Sequence, residues 1–464
     1  MLRHRGSLLR RRNMFVRLLG IPLVALTVGA PAGPSGWWSG SYSLGGGSGT
    51  FTVRITGSRA TVALGLGHAG LQVVPAEVDD GRIRFGVPGR PSPVVFSGSV
   101  SDGRLAGTVR QGGARGMFRA HRGEARGVAA AGFYGALAVV DDPYGPERLV
   151  DVDSGAVNAL YPSGSTFLIG SGFATRAPTR GVLRLPRRDG TRQFEVRFRS
   201  GVAVLSGTLT VPASPGPHPA VAFVTGSGET TRAYLPDLQA LLVRNGVAVL
   251  AYDKRGIGQS GGLYPGESPT ASTIDLLARD ASAAIRFLAQ QPEIDHARIG
   301  LAGHSQAGWI MPLAASRTPA VRFLVVFSGP AVTADETDLY QHLTGQGDQP
   351  QTMSDAAIDA QVLAAGRSGV DPMPWIRKLH IPAVWLYGAR DEQVPPRLSV
   401  RRLEPVVQEH GRDFTVHTFP HANHALVETR TGLTSEMLRS DRFAPGLFGF
   451  VRRWLGDHGL TSPR

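Results

Sequence analysis

Three side chains in this sequence have the types and surroundings that nucleophilic acyl chemistry needs. Gly303-His304-Ser305-Gln306-Ala307-Gly308 follows an apolar, strand-like run and opens a helical pattern. A serine on such a strand–turn–helix corner is held in a strained backbone conformation with its hydroxyl above the sheet. Small residues two before and two after it let strand and helix close together. The usual pattern is G-x-S-x-G; position 307 is Ala here, nearly as small, with Gly308 next. The competing reading of Ser305 is an ordinary helix N-cap.

A serine hydroxyl is a weak nucleophile and needs a base, which in turn needs an orienting acid. Behind a serine turn of this kind the chain order is acid, then histidine. Leu386-Tyr387-Gly388-Ala389-Arg390-Asp391 puts Asp391 just past a strand, so Asp391 is the expected acid and Glu392 the fallback. Pro420-His421-Ala422-Asn423-His424 lies past the last strand and supplies the base. His424 is preferred to His421 because the base belongs a few residues into that loop. The competing reading is a solvated loop residue for either histidine and a loop or helix-cap residue for Asp391. An oxyanion needs backbone donors: the amide of Gln306, after the nucleophile, and one from the glycine-rich loop Thr225–Glu229, from Gly226 or Ser227. This chemistry implies no cofactor and no metal.

The elements that must carry these residues are legible around them. From about residue 194, the apolar runs Pro219–Thr225, Val247–Asp253, Arg298–His304, Phe323–Ser328, Pro382–Tyr387 and Phe414–Phe419 read as strands. They alternate with helical patterns at Ala233–Arg244, Ser272–Gln290, Gln306–Ser316 and Pro396–Glu409. Near-continuous apolar strands alternating with helices predict an α/β fold, a mainly parallel, doubly wound sheet covered on both faces. The stretch 331–371 is polar, helix-compatible and interrupts the alternation, so it reads as an inserted helical cap. Residues 35–125 instead carry short β-type runs separated by turns such as Asp79-Asp80-Gly81 and Ser101-Asp102-Gly103. They predict a small all-β barrel or sandwich. Residues 128–200 are also strand-rich, either a separate subdomain or a β lead-in to the domain expected at 200–464.

The N-terminus reads as an export signal. Residues 1–32 hold six arginines and no acid, then the apolar run Leu18–Ala30 and the small-x-small site Ala30-Pro31-Ala32. Arg11-Arg12-Asn13-Met14-Phe15 resembles a twin-arginine signal; a start at Met14 would leave a plain secretory one. The apolar run falls short of the ~20 residues that span a bilayer, so the expectation is a cleaved signal, export and no stable membrane span. The net charge of +13 drops to +7 without this segment. Only Lys254 and Lys378 are lysines, and the arginines are scattered, which argues against a nucleic-acid partner. The absence of cysteine excludes disulfides, thiolate metal sites and a cysteine nucleophile.

Together these motifs resemble the α/β-hydrolase superfamily over roughly residues 200–456. Besides the serine turn, the acid strand and Asn423-His424, the stretch Tyr252-Asp253-Lys254-Arg255-Gly256-Ile257-Gly258-Gln259-Ser260-Gly261-Gly262 is similar to secreted bacterial esterases of the dienelactone-hydrolase-like and Xaa-Pro-peptidase-like branches. Some of these carry a β-rich N-terminal extension. The resemblance implies a serine esterase or related acyl hydrolase acting on a small ester, acyl or peptidyl substrate. The family usually has His before the oxyanion glycines, where this chain has Thr225.

Other motifs compete. Gly256–Gly261 formally matches G-x-G-x-x-G, but Pro265 and Pro269 follow where a dinucleotide site needs a helix. His417, His421 and His424 have a ligand-like spacing without accompanying carboxylates. Asp253, Lys254 and Arg255 read as an ion-pair network bracing the loop above the sheet. The expected reaction is ester hydrolysis through an acyl-enzyme. A peptidase or thioesterase on the same triad is the enzymatic alternative, and a cell-envelope binding protein with an inactive hydrolase fold is the non-enzymatic one.

Overall fold

A computed structural model of the chain describes residues 33–461 other than 45–46, 65–71, 88–91, 124–131, 141–146, 164–165, 170–178, 184–187, 410 and 438–439. The expected signal at 1–32 lies outside the described residues.

The first unit is a closed barrel. Its strands are β1 (Gly36–Leu44), β2 (Gly47–Thr56), β3 (Arg59–Leu64), β4 (Gln72–Asp79), β5 (Arg82–Val87), β6 (Val94–Ser101), β7 (Arg104–Gln111) and β8 (Ala114–Gly123). Each pairs antiparallel with the next, and β8 returns to β1. The period-2 alternation turns Trp38, Phe51, Phe85, Phe96 and Phe118 inward, where all are buried. The Phe96 ring lies 5.0 Å from both Phe51 and Phe85 and 5.3 Å from Phe118. Eight strands enclose just enough space for side chains to fill, so the interior is a packed core.

The second unit is an antiparallel meander of β9 (Gly132–Tyr134), β10 (Leu137–Val140), β11 (Glu147–Asp151), β12 (Val157–Ser163), β13 (Thr166–Ile169) and β14 (Thr179–Leu183).

The third unit is an eight-stranded mixed sheet. Its strands are β15 (Arg192–Ser200), β16 (Ala203–Val211), β17 (His218–Val224), β18 (Ala248–Tyr252), β19 (Ile294–His304), β20 (Leu324–Phe327), β21 (Ala383–Gly388) and β22 (Phe414–Phe419). They lie in the order β15-β16-β18-β17-β19-β20-β21-β22. The pairs made by β16 are antiparallel and all others are parallel. The boundary drawn at 200 therefore falls inside a hairpin: β15 pairs residue by residue with β16, and the sheet begins at 192. The polar, exposed β15 is an edge strand whose alternation resembles the preceding β region, which is why sequence pattern assigns it there.

Every residue of β17, β18, β20 and β21 is buried. Val221 and Phe223 point to a face covered by α1 (Pro236–Arg244) and α9 (Leu447–Asp457). Ala220, Ala222 and Val224 point to the other, covered by α2 (Ala271–Leu288), α3 (Ala307–Arg317) and α7 (Pro396–Gln408). Between β20 and β21 the chain inserts α4 (Ala334–Thr344), a 3-10 turn at Gly345–Gly347, α5 (Asp355–Ala364) and the short α6 (Met373–Ile376); a further single turn, α8 (Thr434–Met437), follows β22. The meander shares the core of the α1/α9 face: Phe133, Val140, Val150 and Val157 cluster with Leu241, Val243, Val451 and Trp454. Arg148 on β11 also pairs in two places with the buried Asp237 in the first turn of α1, at 3.1 and 2.5 Å. The barrel's buried residues form a cluster of their own.

Candidate active site

Ser305 stands between the end of β19 and the start of α3 with φ +58°, the left-handed conformation that L-residues rarely adopt. Its amide donates to Phe327 O at 3.0 Å, which pins the turn to β20. The glycines around it show how the corner closes. A Cβ on Gly303 would meet Val224 O at 2.6 Å and the Ala307 methyl at 2.7 Å; one on Gly308 would meet the Gly329–Pro330 peptide at 2.6 Å. The methyl at 307, unusual for this pattern, is accommodated because Gly303 has none. The close approach to the neighbouring loop is made by Gly308.

The structure brings His424 and Asp391 together. His424 Nδ1 lies 2.8 Å from Asp391 Oδ2. Asp391 Oδ1 accepts the amides of Gln393 and Val394, each at 2.8 Å. Asp391 is 1% exposed and His424 7%. With Nδ1 donating to the carboxylate, His424 presents Nε2, a buried atom without a hydrogen-bond partner among the described residues. This is the tautomer a base requires. His421 instead sits at the start of the turn beyond β22, beside a surface groove with Arg390 and Glu428. Glu392 is not the carboxylate that His424 meets: a Cβ on Gly432 would stand 2.9 Å from its Oε1, and burial beside Asp391 pushes its carboxyl up to about 7. Its Oε2 has no hydrogen-bond partner among the described residues.

His304, for which the sequence offers no reason to be singled out, joins the serine turn to the histidine loop. Its Nε2 lies 2.8 Å from His424 O and its Nδ1 2.8 Å from Tyr234 Oη. A carbonyl only accepts, so Nε2 carries the proton and Nδ1 accepts from the tyrosine. The His304 and His424 rings are 4.5 Å apart. Its position as the variable residue of G-x-S-x-G carries no sequence signal.

The glycine loop lies directly against the serine. A Cβ on Gly226 would stand 3.2 Å from Ser305 Cβ and 2.4 Å from Tyr234 Oη. Ser227 and Gly228 line a cavity of about 290 Å3 together with Ser305, Gln306 and Trp309. The inserted α4 forms another wall through Thr337, Asp338 and Gln341. It is fastened to the acid loop by three side chains that donate to consecutive carbonyls: Tyr340 to Asp391 at 2.7 Å, Thr344 to Glu392 at 2.5 Å and Gln341 to Gln393 at 3.0 Å.

The loop after β18 is arranged differently from the expected ion-pair network. Arg232 grips Asp253 with two nitrogens, at 3.1 and 2.8 Å, and Arg255 grips the buried Asp280 at 2.8 and 2.5 Å. Lys254 belongs to neither pair. Its ammonium donates to Gly226 O at 2.6 Å and Gly228 O at 2.9 Å, with Gln306 Oε1 at 3.4 Å. Sequence adjacency suggests one network, but successive side chains leave the loop in different directions. Gly256–Gly261 folds into a turn closed on Asp253, whose Oδ2 accepts the Gln259 amide at 2.9 Å, and the next helix starts only at Ala271. His417 stacks on Phe450 at 4.4 Å, away from His424. Among the described residues no three His, Asp or Glu side chains converge on a metal position, and no helix is long and apolar enough to cross a membrane.

Residues 215–354 match the family described as serine aminopeptidase, S33. The chain is similar to esterase EstD of Thermotoga maritima, 27% identical over 332 residues that cover 65% of this chain and 77% of that protein. It is 28% identical over 246 residues to an uncharacterized protein of Mycobacterium tuberculosis, covering 52% and 76% respectively. Among solved structures, an esterase of Pyrococcus furiosus aligns over 57% of this chain and 91% of its own, with 17% identity and TM-score 0.41. A dienelactone hydrolase of Anabaena variabilis aligns over 58% and 98%, with 16% identity and TM-score 0.37.

Proposed function

We propose that the chain, which has the α/β-hydrolase fold, is a serine hydrolase of carboxylic esters working through an acyl-enzyme. Ser305 Oγ attacks the ester carbonyl carbon and passes its proton to His424 Nε2. Asp391 holds the imidazole in register and stabilises the imidazolium. The carbonyl oxygen, now an oxyanion, is held by the Gln306 amide and an amide of the 226–227 loop. Collapse expels the alcohol, which takes the proton from His424. A water activated by the same nitrogen then releases the acid and restores Ser305.

The observation that carries this reading is the buried His424–Asp391 pair with a bare Nε2, whose histidine carbonyl accepts from His304, the residue preceding a serine in a left-handed turn. The similarity to an esterase of Thermotoga maritima supports the ester as substrate. The cavity of about 290 Å3 stands at the small end of the ~300–1,000 Å3 usual for ligand pockets, which favours short acyl chains. The signal-like residues 1–32 support export, testable by the N-terminal mass of the secreted protein.

Turnover of a p-nitrophenyl ester series from acetate to palmitate, with Ser305→Ala alongside, tests the proposal. We expect a maximum at short chains, loss of turnover in the variant, and fluorophosphonate labelling that disappears with the serine. The matched family's description favours a second reading, an amide-bond substrate. Labelling without ester turnover would select it. A folded protein that neither labels nor turns over would refute both.

A further inference from the structure

We propose that Lys254 is a positioning residue of the reaction: it orients and polarises the Ser227 amide as the loop's oxyanion donor and fixes that loop to the Gln306 side of the hole. The inference rests on the esterase reading above.

The two expected halves of the hole come from separate parts of the chain. Gly226 and Ser227 follow β17, whereas Gln306 opens α3. Pairing of β17 with β19 sets the two strand ends side by side, with Val224 opposite Gly303, but does not fix the direction of the peptides in the loop beyond β17. Lys254, from a third segment after β18, touches both, through the carbonyls of Gly226 and Gly228 and the side chain of Gln306. It is 4% exposed, and among the described residues no carboxylate pairs with it. The Tyr264 ring lies 6.0 Å from the ammonium. Burial pulls its pKa down to about 7, only partly opposed by the more distant Glu267. An unpaired buried ammonium is costly, and such groups concentrate at functional sites. A brace for a glycine loop could have been built from a neutral donor.

Peptide geometry turns this contact into an assignment. The carbonyl of Gly226 and the N–H of Ser227 belong to one planar peptide and point in opposite directions. Holding Gly226 O on the ammonium at 2.6 Å therefore aims the Ser227 N–H away from Lys254. Ser227 lines the cavity with Ser305 and Gln306. Donation to the carbonyl also withdraws electron density from the peptide and strengthens its N–H as a donor. Gly226's own N–H belongs to the preceding peptide, which Lys254 does not hold, so the contact singles out Ser227 as the donor it would orient. Gly226 serves by lacking a Cβ where Tyr234 and Ser305 approach.

The test is Lys254→Met, which keeps an unbranched chain as far as Cε and removes the donor, with Lys254→Gln as a neutral variant that keeps an N–H. Kinetics on p-nitrophenyl butyrate are compared with inhibition by a trifluoromethyl ketone, whose serine adduct carries an oxyanion, and with binding of an unreactive ether analogue of the ester. Losing an oxyanion-hole donor lowers kcat by about 10²–10³. We expect Lys254→Met to lower kcat by about 10², to weaken the ketone by a similar factor, and to leave KM and ether binding within about threefold. Lys254→Gln should fall between, and it carries the test if the Met variant does not fold. A folded variant with unchanged kcat, or with kcat and ether binding lost together, overturns the proposal. A wild type without esterase activity refutes the esterase reading and this proposal together. An active wild type that needs Ser305 but not Lys254 refutes this proposal alone.

Discussion

Replacing Asp391 by Asn removes one charge and exchanges one acceptor oxygen for a donor, at a cost set by the contacts of the carboxylate. Asp391 accepts three hydrogen bonds: two backbone amides on Oδ1 and His424 Nδ1 on Oδ2. An asparagine has one oxygen to offer. If it faces the amides of Gln393 and Val394, its NH2 faces Nδ1, which must then accept. The imidazole proton moves to Nε2 and the base is lost. If the oxygen faces His424 instead, the NH2 opposes two buried N–H donors, leaving both unsatisfied at about 1–3 kcal/mol each. The catalytically useful arrangement is thus disfavoured by about 2–6 kcal/mol. At 1.36 kcal/mol per tenfold, kcat/KM should fall by about 30-fold to 3 × 10⁴-fold, and a wrong-tautomer substitution of this kind has cost about 10⁴ elsewhere. The control is Glu392→Gln, which touches the other carboxyl of the pair but no atom of His424. The assay is kcat/KM on p-nitrophenyl butyrate, with circular dichroism to establish folding. If Asp391→Asn costs less than tenfold, or Glu392→Gln costs more than Asp391→Asn, the assignment of the acid is wrong.

The same contacts set four further outcomes. Gly226→Ala would set a methyl 2.4 Å from Tyr234 Oη and 3.2 Å from Ser305 Cβ; displacement of the loop should lower kcat by about 10², and a variant with wild-type turnover would contradict the tight approach. Arg255→Met should destabilise by about 3–5 kcal/mol in urea titration because it strands the buried Asp280, with most of the loss recovered in the double variant Arg255→Met/Asp280→Leu; equal losses in both would deny that the pair is coupled. The Glu392 carboxyl is raised from 4.5 to about 7 in the folded chain, so between these pH values the folded state holds a proton that the unfolded state has released, and stability falls as pH rises through that window. The thermal midpoint of Glu392→Gln relative to wild type should therefore climb from pH 5 to pH 8, and a flat difference would refute it. Phe118→Ala in the barrel core should cost about 3–5 kcal/mol of barrel stability while esterase turnover stays unchanged, since that core shares no buried residue with the hydrolase clusters; parallel loss of turnover would show that the two units are coupled.

The sequence by itself determined the class of fold and the candidate chemical groups. Buried parallel strands read as unbroken apolar runs, so β17 to β21 were visible, and the serine turn announced itself because a left-handed serine needs small neighbours on both sides. The acid and base were located because each follows directly on a strand end, where a short loop leaves little freedom. The tertiary structure alone decided what depends on distant groups meeting. It brought His424 and Asp391, the residues the sequence already preferred to His421 and Glu392, into contact across 33 residues of sequence. It showed that Gly308, not position 307, makes the close approach to Gly329. It moved the start of the sheet from 200 to 192, since an edge strand is defined by its partner and not by its own pattern. It separated Lys254 from the ion pairs of Asp253 and Arg255. Residue type and spacing describe what a side chain can do, but the direction it takes from a loop is fixed only by packing against elements far away in the chain.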